Sequence, residues 1–362
     1  MSKVAWQTFC DEMKSLGQII ENMQELSELD RAEGYRYLTR LMRLALEMNL
    51  EHSSAENASF YSLSHETAKI GGDNPDNLYL NANIHSRYDY EIVGHVGTVP
   101  YLSFGSKENR YNIDGRMIST GEVDLRELAV EPDGRVRIQV SRKKQHGNWL
   151  PIEQASNMII VRQTFKNRAE EIPARLSLRR LDGEGGYDLL DTEQLRQQLE
   201  RSIAFVRGTA TTFIGWVDRF KAGHFNQFQL GDQSFFQAAG GDPNICYVYA
   251  YWEMGEGEVI QVRTRVPACE YWNIQLTNVW MESLDYRFHP VHLNDASAEM
   301  DDDDHVTIHL SHRPLNLKNN LVTAGHEKGL LLLRWARQPP AHTCYSVDQK
   351  EAESPEGLRC EI

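Results

Sequence analysis

The chain has 362 residues, of which 25% are charged and 41% are hydrophobic, a composition typical of globular proteins. Its net charge of −14 and short basic clusters argue against a nucleic-acid partner, and no apolar run is long enough to span a bilayer, so we expect no membrane partner. The five cysteines are scattered without a C-x-x-C motif, which is typical of reduced thiols and predicts a cytoplasmic protein.

The apolar periodicity alternates along the chain between a helical and an extended pattern. Amphipathic helices are predicted over residues 16–29 and 37–48, where apolar side chains recur every three or four positions. From Gly71 apolar and polar residues alternate, which is typical of antiparallel strands with one solvated face. A third helix is predicted over 191–221 with Asp191 as its N-cap, and a second extended region follows it.

The two extended regions resemble each other in sequence. "GGDNPDNLY" at 71–79 is repeated as "GGDPNICY" at 240–247, and "VRIQVS" at 136–141 is repeated as "VTIHLS" at 306–311. Ordered matches at a nearly constant offset of about 170 residues indicate an internal duplication. Two unrelated β modules with similar turns remain the alternative.

We therefore predict a mainly β fold with helical additions (α+β). It contains two duplicated antiparallel β-sandwich or jelly-roll-like domains, each preceded by amphipathic helices. The predicted boundaries are a helical segment at 1–70, a first sandwich at 71–185, a helical connector at 186–235, a second sandwich at 236–337 and a polar tail at 338–362. The sequence contains no G-x-G-x-x-G or P-loop motif, and we predict no cofactor.

Four motifs carry a resemblance to known proteins: "DRAEGYRYLTRL", "GGDNPDNLYLNANI", "NVWMESLDYRF" and "TAGHEKGLLLLRW". In these the chain resembles bacterial proteins that carry the domains of unknown function 1254 and 1214, over about residues 30–337. The resemblance implies two jelly-roll-like domains with helical additions, and often an oligomer, so we expect a homo-oligomer. It also implies a remote likeness to peptide N-glycosidase F, which is an analogy of fold and not of function.

The segment "NVWMESLDYRFHPVHLN" is the richest in chemically active side chains and has no clear counterpart in the first half. Glu282 and Asp285 could act as general acid and base if their surroundings separate their pKa values. Arg287 and His326 would assist electrostatically, and Trp280 would form a wall for the substrate. The alternative, which we weigh equally, is a structural ion pair of Arg287 with Glu282 or Asp285.

Further substrate-binding residues are predicted from their position beside this segment, on an aromatic-rich strand, or at strand ends that could face a cleft. They are Tyr286, Tyr251, His312, Asp76 and Tyr79. Core packing of the strand aromatics and turn formation by the Asp and Asn residues remain the alternatives.

Metal binding has one candidate motif, the "HPVH" loop, in which His289 and His292 could converge on an ion with a carboxylate. The similar "HLSH" at His309 and His312 lies on a predicted strand, where residues three apart point to opposite faces. We predict no metal, and leave the HPVH pair open.

Three functions remain open. The preferred one is a metal-independent hydrolase or lyase that uses the carboxylate pair on a small organic or glycosylated substrate. The others are a non-catalytic module that binds a carbohydrate or a lipophile, and an oligomeric scaffold. An enzyme predicts a closed pocket with a buried carboxylate, a binding module predicts an open aromatic groove, and a scaffold predicts fully paired side chains.

Overall fold

The computed structural model describes residues 3–183, 186, 191–223, 225–230 and 232–337. The predicted polar tail at 338–362 lies outside the described residues. The helices are α1 (Lys3–Ser15), α2 (Gln18–Glu21), α3 (Glu28–Leu46), α4 (Thr192–Gly223) and α5 (Gln233–Ala238). A π-helical turn, Glu47–Glu51, extends α3, and a 3₁₀ turn covers Leu125–Glu127.

The helix predicted over residues 16–29 is wrong, because the chain leaves the helical conformation between α2 and α3. Ser27 begins α3 with a capping box: its hydroxyl accepts the N–H of Asp30 at 3.0 Å, and the Asp30 carboxylate accepts the N–H of Ser27 at 3.3 Å. The helix predicted over 191–221 corresponds to α4, where the Asp191 carboxylate accepts two N–H groups of the first turn.

The first half folds into two four-stranded sheets that enclose an apolar core. Its strands are β1 (Asn77–Asn83), β2 (Tyr90–His95), β3 (Tyr101–Arg110), β4 (Arg116–Asp124), β5 (Arg135–Ser141), β6 (Trp149–Pro151), β7 (Met158–Thr164) and β8 (Arg175–Arg180). One sheet has the order β1-β7-β3-β4 and the other β6-β5-β2-β8. Ile92, Ile138 and Ile159 are fully buried between them, so the alternating apolar residues face the core as expected.

The second half repeats this arrangement. Its strands are β9 (Gln229–Leu230), β10 (Ile245–Glu253), β11 (Val259–Arg265), β12 (Tyr271–Thr277), β13 (His292–Asn294), β14 (His305–Ser311), β15 (Asn320–Val322) and β16 (Lys328–Ala336). The sheet orders are β13-β12-β16-β10-β9 and β11-β14-β15. This sandwich has its own apolar core, which includes Val262, Ile274 and Ile308.

The strand register supports the duplication, because equivalent residues of the two halves pair in the same way. Tyr79 on β1 faces Arg162 on β7, and Tyr247 on β10 faces Arg334 on β16. Each half also contains one parallel pair, β5 with β6 and β14 with β15, which departs from a purely antiparallel arrangement. The predicted mainly β fold with two repeated halves and helical additions is confirmed.

A third apolar core joins the helices to the outer faces of both sandwiches. Leu41 of α3, Phe213 of α4 and Leu332 of β16 belong to this cluster. Over the residues that the structure describes, no helix is both long and apolar enough to cross a bilayer. Among the described cysteines, Cys10 and Cys269 are free thiols.

Candidate functional site

A polar pocket of about 200 Å³ lies where α3 meets the chain that follows β12. Its lining is rich in ionisable side chains from four distant parts of the sequence: Glu33, Arg36, Arg40, Lys69, Asn278, Glu282, Ser283, Leu284, Asp285, His289, Ala324 and His326. Three of the four predicted catalytic residues, Glu282, Asp285 and His326, therefore line one pocket, which we call the polar pocket.

The chain enters the polar pocket through a tight turn at the end of β12. The side-chain oxygen of Asn278 accepts the N–H groups of Trp280 and Glu282 at 3.0 and 3.1 Å. The Trp280 ring is fully buried against α3 at Gly34, where an added Cβ would lie only 2.5 Å from the ring. Because Trp280 is fixed in this way, the following Glu282 is held inside the protein.

Glu282 is a buried carboxylate with one close cationic partner. Its Oε1 accepts from Arg40 Nη1 at 2.7 Å, and its Oε2 lies 3.4 Å from the amide nitrogen of Asn278. Burial raises the pKa of Glu282 above its usual value, although Arg40 and Lys69 act in the opposite direction. The side chain can therefore hold a proton at a higher pH than an exposed glutamate.

Asn278 connects Glu282 to a buried histidine. Its amide nitrogen donates to Glu33 at 2.7 Å, and the same Glu33 oxygen lies 3.2 Å from Nε2 of His326. Nδ1 of His326 is 3.7 Å from Asp30, which is too long for a hydrogen bond. Burial alone would raise the pKa of Asp30, but its interactions with His326 and Ser27 hold that pKa below its usual value.

Lys69 closes another side of the polar pocket. Its ammonium group donates to the backbone carbonyls of Ser283 and Leu284 and lies 4.8 Å from the centre of the Tyr286 ring. Burial lowers the pKa of Lys69, although Asp73 and Glu282 oppose this shift. Its backbone contacts fix the loop that carries Glu282.

The polar pocket thus contains a buried acid and a buried histidine connected through the Asn278 amide and the Glu33 carboxylate, with two arginines on its wall. Burial disfavours the charged form of both Glu282 and Lys69, which raises the pKa of the first and lowers the pKa of the second. Perturbed pKa values of this kind cluster at functional sites, although structural ion-pair networks also produce them.

Comparison with known proteins gives a close relative. The structure matches a crystal structure of an uncharacterized protein from Burkholderia cenocepacia, with 41% sequence identity, a TM-score of 0.90 and coverage of 92% of this chain and 93% of that chain. A family model described as a protein of unknown function, DUF1214, matches residues 103–166. The chain therefore belongs to the same family as this Burkholderia protein, and its match to the DUF1214 model covers residues 103–166. The resemblance to the domain of unknown function 1254 stays a prediction.

Two further comparisons add nothing about the function of this protein. The VPA0106 protein from Vibrio parahaemolyticus has 13% identity and a TM-score of 0.47, over 84% of this chain and 94% of that chain, and we draw nothing from this match. Among proteins with curated descriptions, none matches the sequence.

Asp285 does not occupy the position expected of a catalytic partner for Glu282. It forms a bidentate ion pair with Arg287, at 2.8 and 2.7 Å, on the partly exposed side of the polar pocket. The hydrogen bonds from Arg287 lower the pKa of Asp285 to about 2. The structural ion pair that we weighed as the alternative is therefore formed at Asp285, and the partner of Glu282 is Arg40 instead.

Three predicted substrate-binding residues have structural contacts away from the polar pocket. Trp280 lies in the core, where its ring is 6.2 Å from that of Tyr37, so the expected substrate wall is wrong. Tyr251 is 2% exposed in the same core. His312 joins Thr323 to the carbonyls of Met254 and Gly255, which fixes a loop.

The HPVH pair diverges. His289 lines the polar pocket, whereas Nε2 of His292 lies 3.1 Å from Asp76 on the other side of the loop. In the described ranges no group of three or more His, Cys, Asp or Glu residues could hold a metal ion. The Tyr286 ring lies under the Lys69 ammonium group, with its centre 6.0 Å from that of the His292 ring.

Asp76 and Tyr79 belong instead to the boundary between the two sandwiches, which we call the seam. Asp76 accepts the hydroxyl of Tyr271 from the second half at 2.7 Å, and Asp242 accepts the hydroxyl of Tyr101 from the first half at 2.9 Å. Asp242 belongs to the second Gly-Gly-Asp turn and Asp76 lies just after the first, so each turn is associated with an acid that accepts a hydrogen bond from the other half. Tyr79 lines a central cavity at the seam.

Several residues of the polar pocket were missed by sequence reasoning. Arg40 is 242 positions from Glu282, and Lys69 is 214 positions from Ser283. Gly34 falls between the predicted helical segments 16–29 and 37–48, so its close approach to the Trp280 ring was not signalled by either segment.

Proposed function

We propose that this protein is a metal-independent enzyme, a hydrolase or lyase, that acts on a small organic or glycosylated substrate in the polar pocket. The observation that supports it best is the buried Glu282, connected through Asn278 and Glu33 to the buried His326. Acid and base would then act from one cavity.

In this proposal Glu282 is the general acid, because burial favours its protonated form. His326 replaces Asp285 as the base. When Nε2–H donates to Glu33, Nδ1 has no hydrogen-bond partner among the described residues and lies 3.7 Å from Asp30. Arg36 and Arg40 would orient anionic or oxygen-rich groups of the substrate.

The size and chemistry of the polar pocket limit the substrate. A space of about 200 Å³ with mostly polar walls suits a small, oxygen-rich group better than an extended lipophile. A binding module and an oligomeric scaffold remain the alternatives. The homo-oligomeric state and the cytoplasmic compartment stay predictions.

The first experiment measures substrate consumption by mass spectrometry across a panel of small glycosides, esters and hydroxy acids. We expect the parent protein to consume one class, and Glu282→Gln to lower kcat/KM by about 10²- to 10⁴-fold, because general acid catalysis contributes on that order. Melting temperatures are recorded in parallel.

Two control variants separate chemistry from folding. Asp285→Asn changes a partly exposed carboxylate of the same segment and should retain turnover. Glu91→Gln changes a buried glutamate that pairs with Arg137 and Arg179 in the first half, far from the polar pocket, and should alter stability without altering turnover. If no substrate is consumed and Glu282→Gln only melts earlier, Glu282 is a structural anchor and the enzyme proposal fails.

A further inference from the structure

The seam encloses a second cavity, of about 140 Å³, which we call the central cavity. Its lining combines aromatic and aliphatic side chains from α4, α5 and both sandwiches with two arginines. The apolar part of the wall includes Met117, Ile160, Phe213, Trp216, Phe236 and Tyr249. None of the residues of the polar pocket lines it.

The two arginines occupy equivalent positions in the two halves. Arg162 on β7 donates to the carbonyl of Gly240 at 2.5 Å, and Arg334 on β16 donates to the carbonyl of Gly72. Each guanidinium therefore reaches across the seam to the repeated glycine turn of the other half. Arg162 is 7% exposed and Arg334 is 4% exposed.

The guanidinium groups differ in how completely they are hydrogen-bonded. Arg334 also donates to Gln275 at 2.5 Å, whereas the buried Nη1 of Arg162 has no hydrogen-bond partner in the part of the chain that the structure describes. A charged donor that is buried without a partner is costly, which makes this atom the strongest indication of an external acceptor.

The nearby carboxylates already have other partners. Asp242 accepts from Tyr101 and Ser103, and Asp73 accepts from the N–H and hydroxyl of Ser283. Glu122 pairs with Lys107. Among the described residues no ion pair of 4.0 Å or shorter joins an acid to Arg162 or Arg334, although, against the effect of burial, the charges of Asp242 and Glu122 act to raise the pKa of Arg162.

We propose that the central cavity binds a small carboxylate with a single apolar ring, its carboxylate on Arg162 and its ring against the aromatic wall. A cavity of about 150 Å³ is large enough for benzene, so 140 Å³ suits a ligand with one ring. A carboxylate supplies the acceptor that Arg162 Nη1 lacks, and guanidinium binds this group through two parallel hydrogen bonds.

Calorimetric titration with benzoate, benzyl alcohol and benzylamine tests the charge requirement at constant ring size. We expect benzoate to bind at least about tenfold more tightly than benzyl alcohol, since a hydrogen bond between two charged groups is stronger than one to a neutral hydroxyl, and benzylamine to bind more weakly still. Equal affinity for benzoate and benzyl alcohol, or no binding of benzoate, would overturn the proposal.

Two variants locate the ligand. Arg162→Gln should weaken benzoate binding about tenfold or more while leaving benzyl alcohol unchanged. Ile160→Phe reduces the volume of the central cavity without altering charge, and should abolish binding of both ligands in a folded protein. If Arg162→Gln does not fold, the comparison of benzoate, benzyl alcohol and benzylamine and the Ile160→Phe variant still test the proposal. Benzoate that binds Ile160→Phe with full affinity would lie outside the central cavity and overturn the proposal.

This inference is independent of the proposed enzyme activity. Glu282→Gln should bind benzoate like the parent protein, because Glu282 does not line the central cavity. Loss of benzoate binding in Glu282→Gln would place the ligand in the polar pocket and overturn the inference. Turnover that depends on Glu282, together with absent benzoate binding, would retain the enzyme and reject the ligand site.

Discussion

The two sandwiches share one scaffold but differ at one sheet edge. In the first half β3 has ten residues and continues through a tight turn into β4, which covers its edge. In the second half β12 has seven residues, the chain then leaves the sheet, and only the three-residue β13 returns to the edge. The segment that leaves carries Asn278, Trp280 and Glu282 to α3. The polar pocket therefore exists only where the second copy departs from the first.

At the seam the two halves remain alike. Each glycine turn receives an arginine from the other half, and an acid in or beside each turn receives a tyrosine hydroxyl. Buried polar groups are costly unless their partners are in place, so these crossed contacts fix the position of one sandwich on the other. The seam is thus formed by contacts that the two halves share, whereas the polar pocket is formed by a segment in which the second half differs from the first.

The largest expected difference between the repeats is at their first glycines. Gly71 has φ 62°, and an added Cβ would lie 2.3 Å from the Phe213 ring, whereas at Gly240, with φ 97°, the nearest atom is the flexible Met117 sulfur at 3.0 Å. We expect Gly71→Ala to lower the free energy of unfolding by roughly 3 kcal/mol and Gly240→Ala by roughly 1–2 kcal/mol. Urea denaturation measures both, and equal losses would mean that the Phe213 contact relaxes freely.

An intermediate effect is expected from the crossed hydroxyls. Tyr101→Phe removes a hydrogen bond to the buried Asp242, and Tyr271→Phe removes one to the buried Asp76 and one from the Asn74 amide. Each change should cost about 1.5–3 kcal/mol in the free energy of unfolding, with Tyr271→Phe the more costly of the two. Because the two tyrosines share no partner, the double variant should be additive within about 0.5 kcal/mol. Tyr61→Phe, which removes a bond to the neutral Asn83, is the control and should cost less. A large coupling energy would show that the seam opens as one unit.

The smallest expected effect is a difference in pH dependence between two buried glutamates. Burial raises the pKa of Glu282 above 4.5, so its contribution to stability is greatest below pH 4.5 and is lost as pH rises through its folded pKa. Burial also acts to raise the pKa of Glu91, but Arg179 and Arg137 hold it below 4.5, so its contribution is present above pH 4.5 and is lost as pH falls.

Free energies of unfolding for the parent, Glu282→Gln and Glu91→Gln, measured across this acidic range, should therefore diverge with opposite slopes. Parallel curves for the two variants would show that Arg40 offsets the burial of Glu282 completely.

Much of the fold could be predicted because it is encoded locally. Alternating residues such as Val136, Ile138 and Val140 predict a half-buried strand, and their repetition at Val306, Ile308 and Leu310 predicts the second copy. The helical prediction at 16–29 failed because an apolar spacing does not show where Ser27 will cap a new helix.

The candidate site could be predicted only in part. Glu282 and His326 stood out by residue type, but their partners could not be recognised, since Arg40, Glu33 and Lys69 are brought to them by packing alone. Arg162 and Arg334 carried a readable signal that was not used: each is a charge inside a continuous apolar strand.

The sequence by itself determined the periodicity, the duplication and the residue types available for chemistry, because these depend on neighbours along the chain. Only the tertiary structure decided which charges are buried and which are paired. Asp285 and Glu282 are three positions apart, yet one is neutralised by Arg287 near solvent and the other is enclosed beside Arg40. Their pKa values shift in opposite directions because desolvation and charge pairing act through space and not along the sequence.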